Sequence, residues 1–181
     1  MVRKGTVLNL TIEKLAFGGL GIAYYKGLVI FVKGSIPGQK VSAKIYKKKK
    51  NYLEAYIVEV IDPSIDEVEK NCNHFGVCGG CSFQNYNYNS QLNQKYNQVN
   101  ELFEKMLKKK MEYTINPIIG CGEQFHYRNK MEFTYSYNKW IVDLDSEIDN
   151  NPALGLHVKA RFDKIVDIDN CSIQGSKSNI I

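Results

Sequence analysis

Ile22-Ala23-Tyr24-Tyr25-Lys26-Gly27-Leu28-Val29-Ile30-Phe31-Val32 is the stretch that decides the fold. Two runs of β-branched, aromatic and aliphatic residues flank a two-residue Lys-Gly link, the length and chemistry of a tight hairpin. Upstream, the glycine cluster Gly18-Gly19-Leu20-Gly21 separates this hairpin from a β-rich run, Val7-Leu8-Asn9-Leu10-Thr11-Ile12. Downstream, Gly34 and Pro37-Gly38 mark the next turn. Two more strands follow at 40–46 and 52–61, separated by Lys47, Lys48, Lys49, Lys50 and Asn51. Five short strands with glycine turns and little helical periodicity predict a small antiparallel all-β barrel. Asp62-Pro63-Ser64 ends it, and an acidic linker with Asp66, Glu67 and Glu69 leads out.

The remainder, 62–181, reads as a second, mixed domain. A Cys-, Gly- and Asn-rich loop at 71–89 has no clear period. A helix is predicted over 90–109, where Leu92, Tyr96, Val99, Phe103 and Met106 recur at steps of four and three on one apolar face. Lys108, Lys109 and Lys110 stand at its carboxyl end, where positive charge suits the helix dipole without any other role. Further on, Met131, Phe133, Tyr135 and Tyr137 alternate with Glu132, Thr134 and Ser136, predicting a half-buried strand with the aromatics inward. Segments 153–158 and 165–168 look like two further strands. The tail, 176–181, is polar and then apolar, like the start of an element that is not completed.

The chain has 181 residues, 44% of them hydrophobic and 24% charged, which are globular values. No apolar run approaches the roughly 18–20 residues of a membrane helix. The amino terminus has strand-like alternation rather than an apolar signal core. A soluble, cytoplasmic protein is the expectation. Charge is unevenly spread: residues 1–60 carry a net +8 and residues 61–181 a net −3. A polyanion partner is therefore expected at the first third. Lysine outnumbers arginine 21 to 3, which favours phosphate attraction over bidentate readout of guanine. Lys47, Lys48, Lys49 and Lys50 are the candidate phosphate contacts, although a solvated hairpin tip accounts for them equally well. Phe17, Tyr24 and Tyr25 are candidate stacking platforms. At strand spacing, about half of such residues must instead be core.

Cysteine carries the sharpest signal. Cys72-x5-Cys78-x2-Cys81 lies in one glycine-containing loop, and Cys171 stands 90 positions further on. The short Cys-x2-Cys link lets two thiolates converge, and Gly79-Gly80 between them permits the tight backbone. Disulfides fit poorly with a cytosolic chain of five cysteines. Structural zinc usually draws on two Cys-x2-Cys pairs, and only one exists here. Three close cysteines and one remote suit an iron–sulfur cluster better, though spacing alone leaves zinc open. His74, between two candidate ligands, could replace a thiolate. Cys121, in Gly120-Cys121-Gly122, reads as a structural or incidental thiol, since nothing places His126 beside it.

At these residues the chain resembles a known family, the TRAM-domain, iron–sulfur-containing RNA uracil-5-methyltransferases typified by the 23S rRNA enzymes. Residues Ala16-Phe17-Gly18-Gly19-Leu20-Gly21-Ile22-Ala23, with Ile36-Pro37-Gly38-Gln39, resemble the TRAM signature. Cys72 through Gln84 resembles the cluster loop, and Tyr127-Arg128-Asn129-Lys130-Met131-Glu132-Phe133 resembles a central-domain strand. Leu154-Gly155-Leu156-His157, Arg161-Phe162-Asp163-Lys164 and Cys171 resemble the segment that brings the fourth ligand.

The resemblance implies an OB-like TRAM barrel at 1–61 that binds RNA, with rRNA as the partner. It implies an α+β iron–sulfur and central domain at 62–181. By resemblance, Cys72, Cys78, Cys81 and Cys171 hold a [4Fe–4S] cluster, and Arg128 and Lys130 face RNA, although a structural ion pair serves Arg128 equally. The family's Rossmann-like domain, with its S-adenosylmethionine site and catalytic cysteine, has no counterpart motif here. The chain is thus expected to bind no S-adenosylmethionine, to carry no catalytic residue and to be inactive alone. The methyl-transfer half would be truncated or supplied by another chain. The rival expectations are a non-catalytic RNA-binding module and a vestigial fragment.

Overall fold

A computed structural model describes residues 2–107, 111–141 and 151–180. The chain divides into two compact units: residues 1–68 with 85–120, and residues 69–84 with 121–181. No helix among the described residues is long and apolar enough to cross a membrane.

The first unit is built on a six-stranded sheet. Its strands are β1 (Val7–Thr11), β2 (Lys14–Leu15), β3 (Gly21–Tyr25), β4 (Leu28–Lys33), β5 (Lys40–Lys48) and β6 (Tyr52–Asp62). Their order is β1-β5-β6-β4-β3-β2. β1 and β2 are two halves of one bent strand, the first paired with β5 and the second with β3. This bend joins the two ends of the sheet and closes it into a barrel. Counting β1–β2 as one strand gives five, with β4 and β6 parallel and the other pairs antiparallel. That is the connectivity of a five-stranded OB-like barrel. Register shifts along β5 and β6 supply the local twist that closure needs.

Alternation explains the interior. Ala23, Ile30, Val32, Val41, Ile45 and Leu53 point inward and are buried. The Lys26-Gly27 link puts both residues at positive φ, 49° and 79°, the geometry of the two-residue hairpin the sequence predicts.

α1 (Tyr88–Leu107) belongs to this same unit. Asn87 Oδ1 caps it, accepting hydrogen bonds from Asn89 N and Ser90 N at 3.0 and 3.3 Å. It docks on β2 through polar groups: Gln94 Oε1 accepts from Leu15 N, Gln98 Nε2 donates to Leu15 O, and Lys14 Nζ pairs with Glu101 at 2.8 Å. The predicted apolar stripe is not buried in a core, and no described side chain of α1 is fully buried. The segment that follows covers part of it: Phe103 meets the Tyr113 ring at 5.7 Å, and Tyr96 Oη donates to Ile115 O. Lys108, Lys109 and Lys110 lie outside the described residues.

The second unit holds a three-stranded antiparallel sheet, β7 (Thr134–Ser136), β8 (Ala153–His157) and β9 (Ile165–Asp167), in that order. The expected face of β7 is inverted. Tyr135 and Tyr137 are exposed and touch each other edge-on at 6.4 Å, while Thr134 and Ser136 are half-buried. The cause lies opposite, on β8. Thr134 pairs with Gly155, where even a Cβ would lie 1.9 Å from Val166 O, so only small groups fit on that side.

The expected fold class needs correction here. It assigned the helix to a separate α+β domain, but α1 is held by Leu15, Lys14 and the barrel unit. The second unit is sheet and loop, its only described helical piece a four-residue 3-10 turn at Ser176–Asn179. The chain is a barrel plus a mostly-sheet fold with one α-helix.

Candidate functional site

The thiol loop, 69–84, is stitched to the end of β8. Gly79 N donates to His157 O at 2.9 Å, and Lys159 N donates to Val77 O at 2.8 Å, either side of a Cys78–Val158 bridge. From the other direction comes the segment after β9. Ser172 Oγ donates to Asn71 O at 3.0 Å, and His74 Nε2 meets Asp169 Oδ1 at 2.6 Å. These ties bring Cys72, Cys78, Cys81 and Cys171 around one cavity, with Leu156 and Ile168 supplying apolar lining. All four are free thiols.

At Cys78 and Cys81 the surroundings favour protonated sulfur in the bare protein. Burial pushes the Cys78 thiol up, opposed by a hydrogen bond from Gly80 N to its Sγ at 3.4 Å and reinforced by the other thiols. Burial likewise raises Cys81, opposed by a hydrogen bond with the Gln84 side chain and by the Arg128 charge. Gln84 Oε1 is itself buried without a partner among the described residues. Any metal bound here must displace protons from sulfur. As the side chains are placed, no three His, Cys, Asp or Glu among the described residues could hold a metal ion.

Two groups at this site carry no sequence signal. Asn179, in the tail that reads as an uncompleted element, folds back on Cys171. Its Oδ1 accepts from Cys171 N at 3.0 Å and from Gln174 Nε2, and its Nδ2 donates to Cys171 O at 3.3 Å. Asp169 is the other, its carboxyl held below the usual range chiefly by its hydrogen bond with His74. His74, considered above as a substitute ligand, is thus engaged in a hydrogen bond with Asp169 across the site. Cys121 is exposed, does not line the cavity, and donates to Glu123 O at 2.9 Å. Arg128 and Lys130 lie on a second cleft of this unit. Lys130 pairs with Glu132 at 2.8 Å, and Arg128 Nε donates to Lys130 O.

On the barrel, the other candidates separate by side. Phe17, in the loop between β2 and β3, is 64% exposed, and Tyr24 on β3 is 48% exposed. Tyr25, at the end of β3, packs on the core instead. The outward rows of β4 and β6 add Phe31 and Tyr52, in edge contact at 5.4 Å. Lys33 Nζ sits 4.6 Å from the centre of the Tyr46 ring. Alternation alone would have identified these, since Phe31 and Lys33 share a face opposite Ile30 and Val32. Of the lysine run, Lys47 pairs with Glu54 at 2.7 Å and Lys48 Nζ donates to Val2 O at 3.0 Å. Lys49 and Lys50 are exposed at the β5–β6 turn. An OB-like barrel offers oligonucleotides its second and third strands and the loops after strands one and four. Phe17, Tyr24, Phe31, Lys49 and Lys50 occupy those positions.

Residues 2–58 match the TRAM domain. An uncharacterized RNA methyltransferase of Clostridium tetani is 40% identical over 172 residues, covering 95% of this chain and 36% of the relative. One from Caldanaerobacter subterraneus subsp. tengcongensis is 39% identical over 170 residues, covering 94% of this chain and 35% of the relative. The chain thus spans little more than a third of the length of these curated relatives. Among solved structures, the Pyrococcus abyssi tRNA (uracil-54, C5)-methyltransferase in complex with S-adenosyl-L-homocysteine superposes with a TM-score of 0.53 at 24% identity. It covers 94% of this chain and 34% of that one, a likeness of fold.

The expected fold class, which defined this chain partly by a missing Rossmann-like domain, is overturned by these matches. Over 94–95% of its length the chain follows methyltransferase polypeptides, as a TRAM barrel plus a mostly-sheet fold with one helix. The chain thus carries a TRAM-domain match at residues 2–58 and is similar, over nearly its whole length, to about a third of the length of proteins named RNA methyltransferases.

Proposed function

We propose that the chain is the RNA-recognition and iron–sulfur part of an RNA uracil-5-methyltransferase. The observation that carries this reading is the convergence of Cys72, Cys78, Cys81 and Cys171 on one cavity from segments far apart in sequence. A single zinc ion would need its sulfurs about 2.3 Å from one point. The described donors do not meet that demand. A [4Fe–4S] cluster takes one thiolate per iron and asks for no such convergence on a point. The residues present suit it: four thiols, an apolar lining and an amide N–H already directed at sulfur. When bound, the cluster supplies four strong links among these segments and needs no redox step in methyl transfer. This chain's residues hold the loop for it through the His74–Asp169 pair, the Asn179 clamp on Cys171 and the Gly79–His157 bond.

In the proposed division, residues 1–61 receive RNA and residues 62–181 carry the cluster. Uracil C5 as the target and S-adenosylmethionine as the methyl donor of the whole protein follow from the sequence resemblance. They agree with the name of the Pyrococcus abyssi neighbour and its bound S-adenosyl-L-homocysteine. The resemblance points to rRNA, whereas the neighbour's name points to tRNA. Competition between a 23S rRNA fragment and a tRNA for the chain separates them.

The deciding experiment is iron, acid-labile sulfide and zinc per chain after anaerobic purification. About four irons with matching sulfide, lost together in Cys171→Ser, is the expected result. One zinc, or no metal in a folded chain, overturns the cluster.

A further inference from the structure

We infer that the second cleft of the 69–84 and 121–181 unit binds one unstacked nucleotide of single-stranded RNA. Its base would lie against Phe162 and its phosphate among Arg128, Lys130 and Lys159. The inference deepens the RNA-recognition reading above and rests on it.

The cleft encloses about 590 Å³, within the range of small-ligand sites. Gly79 and Gly80 of the thiol loop form one wall, Arg128 to Glu132 another, and the end of β8 with its following turn a third. That turn is built and held. Val158 O accepts from Arg161 N at 2.9 Å, and Ala160 between them has φ 63°, a conformation that residues other than glycine seldom adopt. Bonds from Lys159 N to Val77 O and from Val158 N to Lys164 O fix both its sides. Strained backbone held by its surroundings is a feature of sites that position side chains.

Lys159 and Phe162 are what this turn presents. Phe162 is 87% exposed, an unusual place for a large apolar ring. Yet the ring is oriented: it meets His157 edge-on, centroids 5.9 Å apart and planes at 61°. His157 lines the same cleft, and its Nδ1 is buried without a partner among the described residues. Three cations line the cleft against one carboxylate, Glu132, which Lys130 already pairs at 2.8 Å. The excess charge selects an anion, and the exposed ring selects a flat one. A base with its phosphate meets both demands, as stacking on aromatic side chains beside a cationic track is the usual way single strands are held.

The test uses the whole chain and a short fluorescein-labelled oligouridylate, read by fluorescence anisotropy, with a 4-thiouridine version for photocrosslinking. Phe162→Ala should weaken binding roughly five- to hundredfold. Phe162→Trp should restore it, and crosslinks should fall in the peptide containing 156–162. Lys159→Ala should lower the log–log salt slope by about 0.7. The exposure of Phe162 lets these variants fold, which circular dichroism checks. Wild-type affinity in Phe162→Ala, with crosslinks confined to 1–61, overturns the cleft and leaves RNA binding by the barrel standing. Uridine monophosphate binding as tightly as the oligomer overturns the RNA assignment in favour of a free nucleotide. No binding by the wild-type chain overturns the inference together with the RNA-recognition reading.

Discussion

Asn179→Ala should loosen Cys171 without touching a thiol. The carboxamide makes three hydrogen bonds to two buried residues: Cys171 is 7% exposed and Gln174 is 3% exposed. Truncation leaves the Cys171 N–H and the Gln174 amide without their acceptor. Each orphaned buried donor costs about 1–3 kcal/mol, so the two together set a ceiling near 6. Asn179 is itself half-buried, and water replaces part of what it supplied. The expected loss is therefore about 2–3 kcal/mol. If it falls on the local opening of the Cys171 segment, alkylation of Cys171 by iodoacetamide in the metal-free chain should quicken about 30- to 150-fold. Mass-spectrometric peptide mapping reads this against Cys121, whose rate should stay constant. Asn179→Asp keeps the acceptor and gives up only the donor to Cys171 O, so its effect should be about 1 kcal/mol. A Cys171 that alkylates at the wild-type rate in the Ala variant would refute the clamp.

Replacing Lys49 and Lys50 together by alanine should make the salt dependence of RNA binding shallower by about 1.4 in log–log slope. Lys47→Ala should change it less, because its charge is already met by Glu54 at 2.7 Å. Tyr46 is pushed up to about 12 by burial, with its hydrogen bond to Glu54 adding to the rise. Its folded state therefore holds the proton more tightly than the unfolded chain. That contribution is full below pH 10 and is lost as the pH rises through about 12. Urea midpoints should fall across that window, and less so in Tyr46→Phe. Gly155→Ala should cost more than about 3 kcal/mol or abolish soluble expression, since its Cβ would meet Val166 O at 1.9 Å. Cys121→Ser should leave both iron content and the urea midpoint unchanged, within about 0.5 kcal/mol.

What could be read from the sequence and what could not divide along a physical line. The barrel's strands are legible because inward Ile30, Val32 and Leu53 alternate with outward groups, and the Lys26-Gly27 turn permits one link only. The thiol spacing is legible because three of the four sulfurs are local. The partner of α1 is not. Its apolar stripe is visible, yet Gln94, Gln98 and Glu101 on another face hold it to β2, and polar docking leaves no period to count. The inverted face of β7 is hidden for a related reason. Four aromatic or apolar residues at alternate positions predict burial, but the space is set by Gly155 and Val166, which are remote in sequence. The same holds where Cys171 docks. Asp169 and Asn179 are two polar residues in a polar tail, and only the backbone path makes one a hydrogen-bond partner of His74 and the other a clamp on Cys171. Residues that supply sulfur can be found by spacing, whereas the residues that decide whether sulfur is delivered act through single hydrogen bonds. Variants of Asn179 and Asp169 therefore probe the assembly of this site more directly than variants of the cysteines, which remove the ligand and the question together.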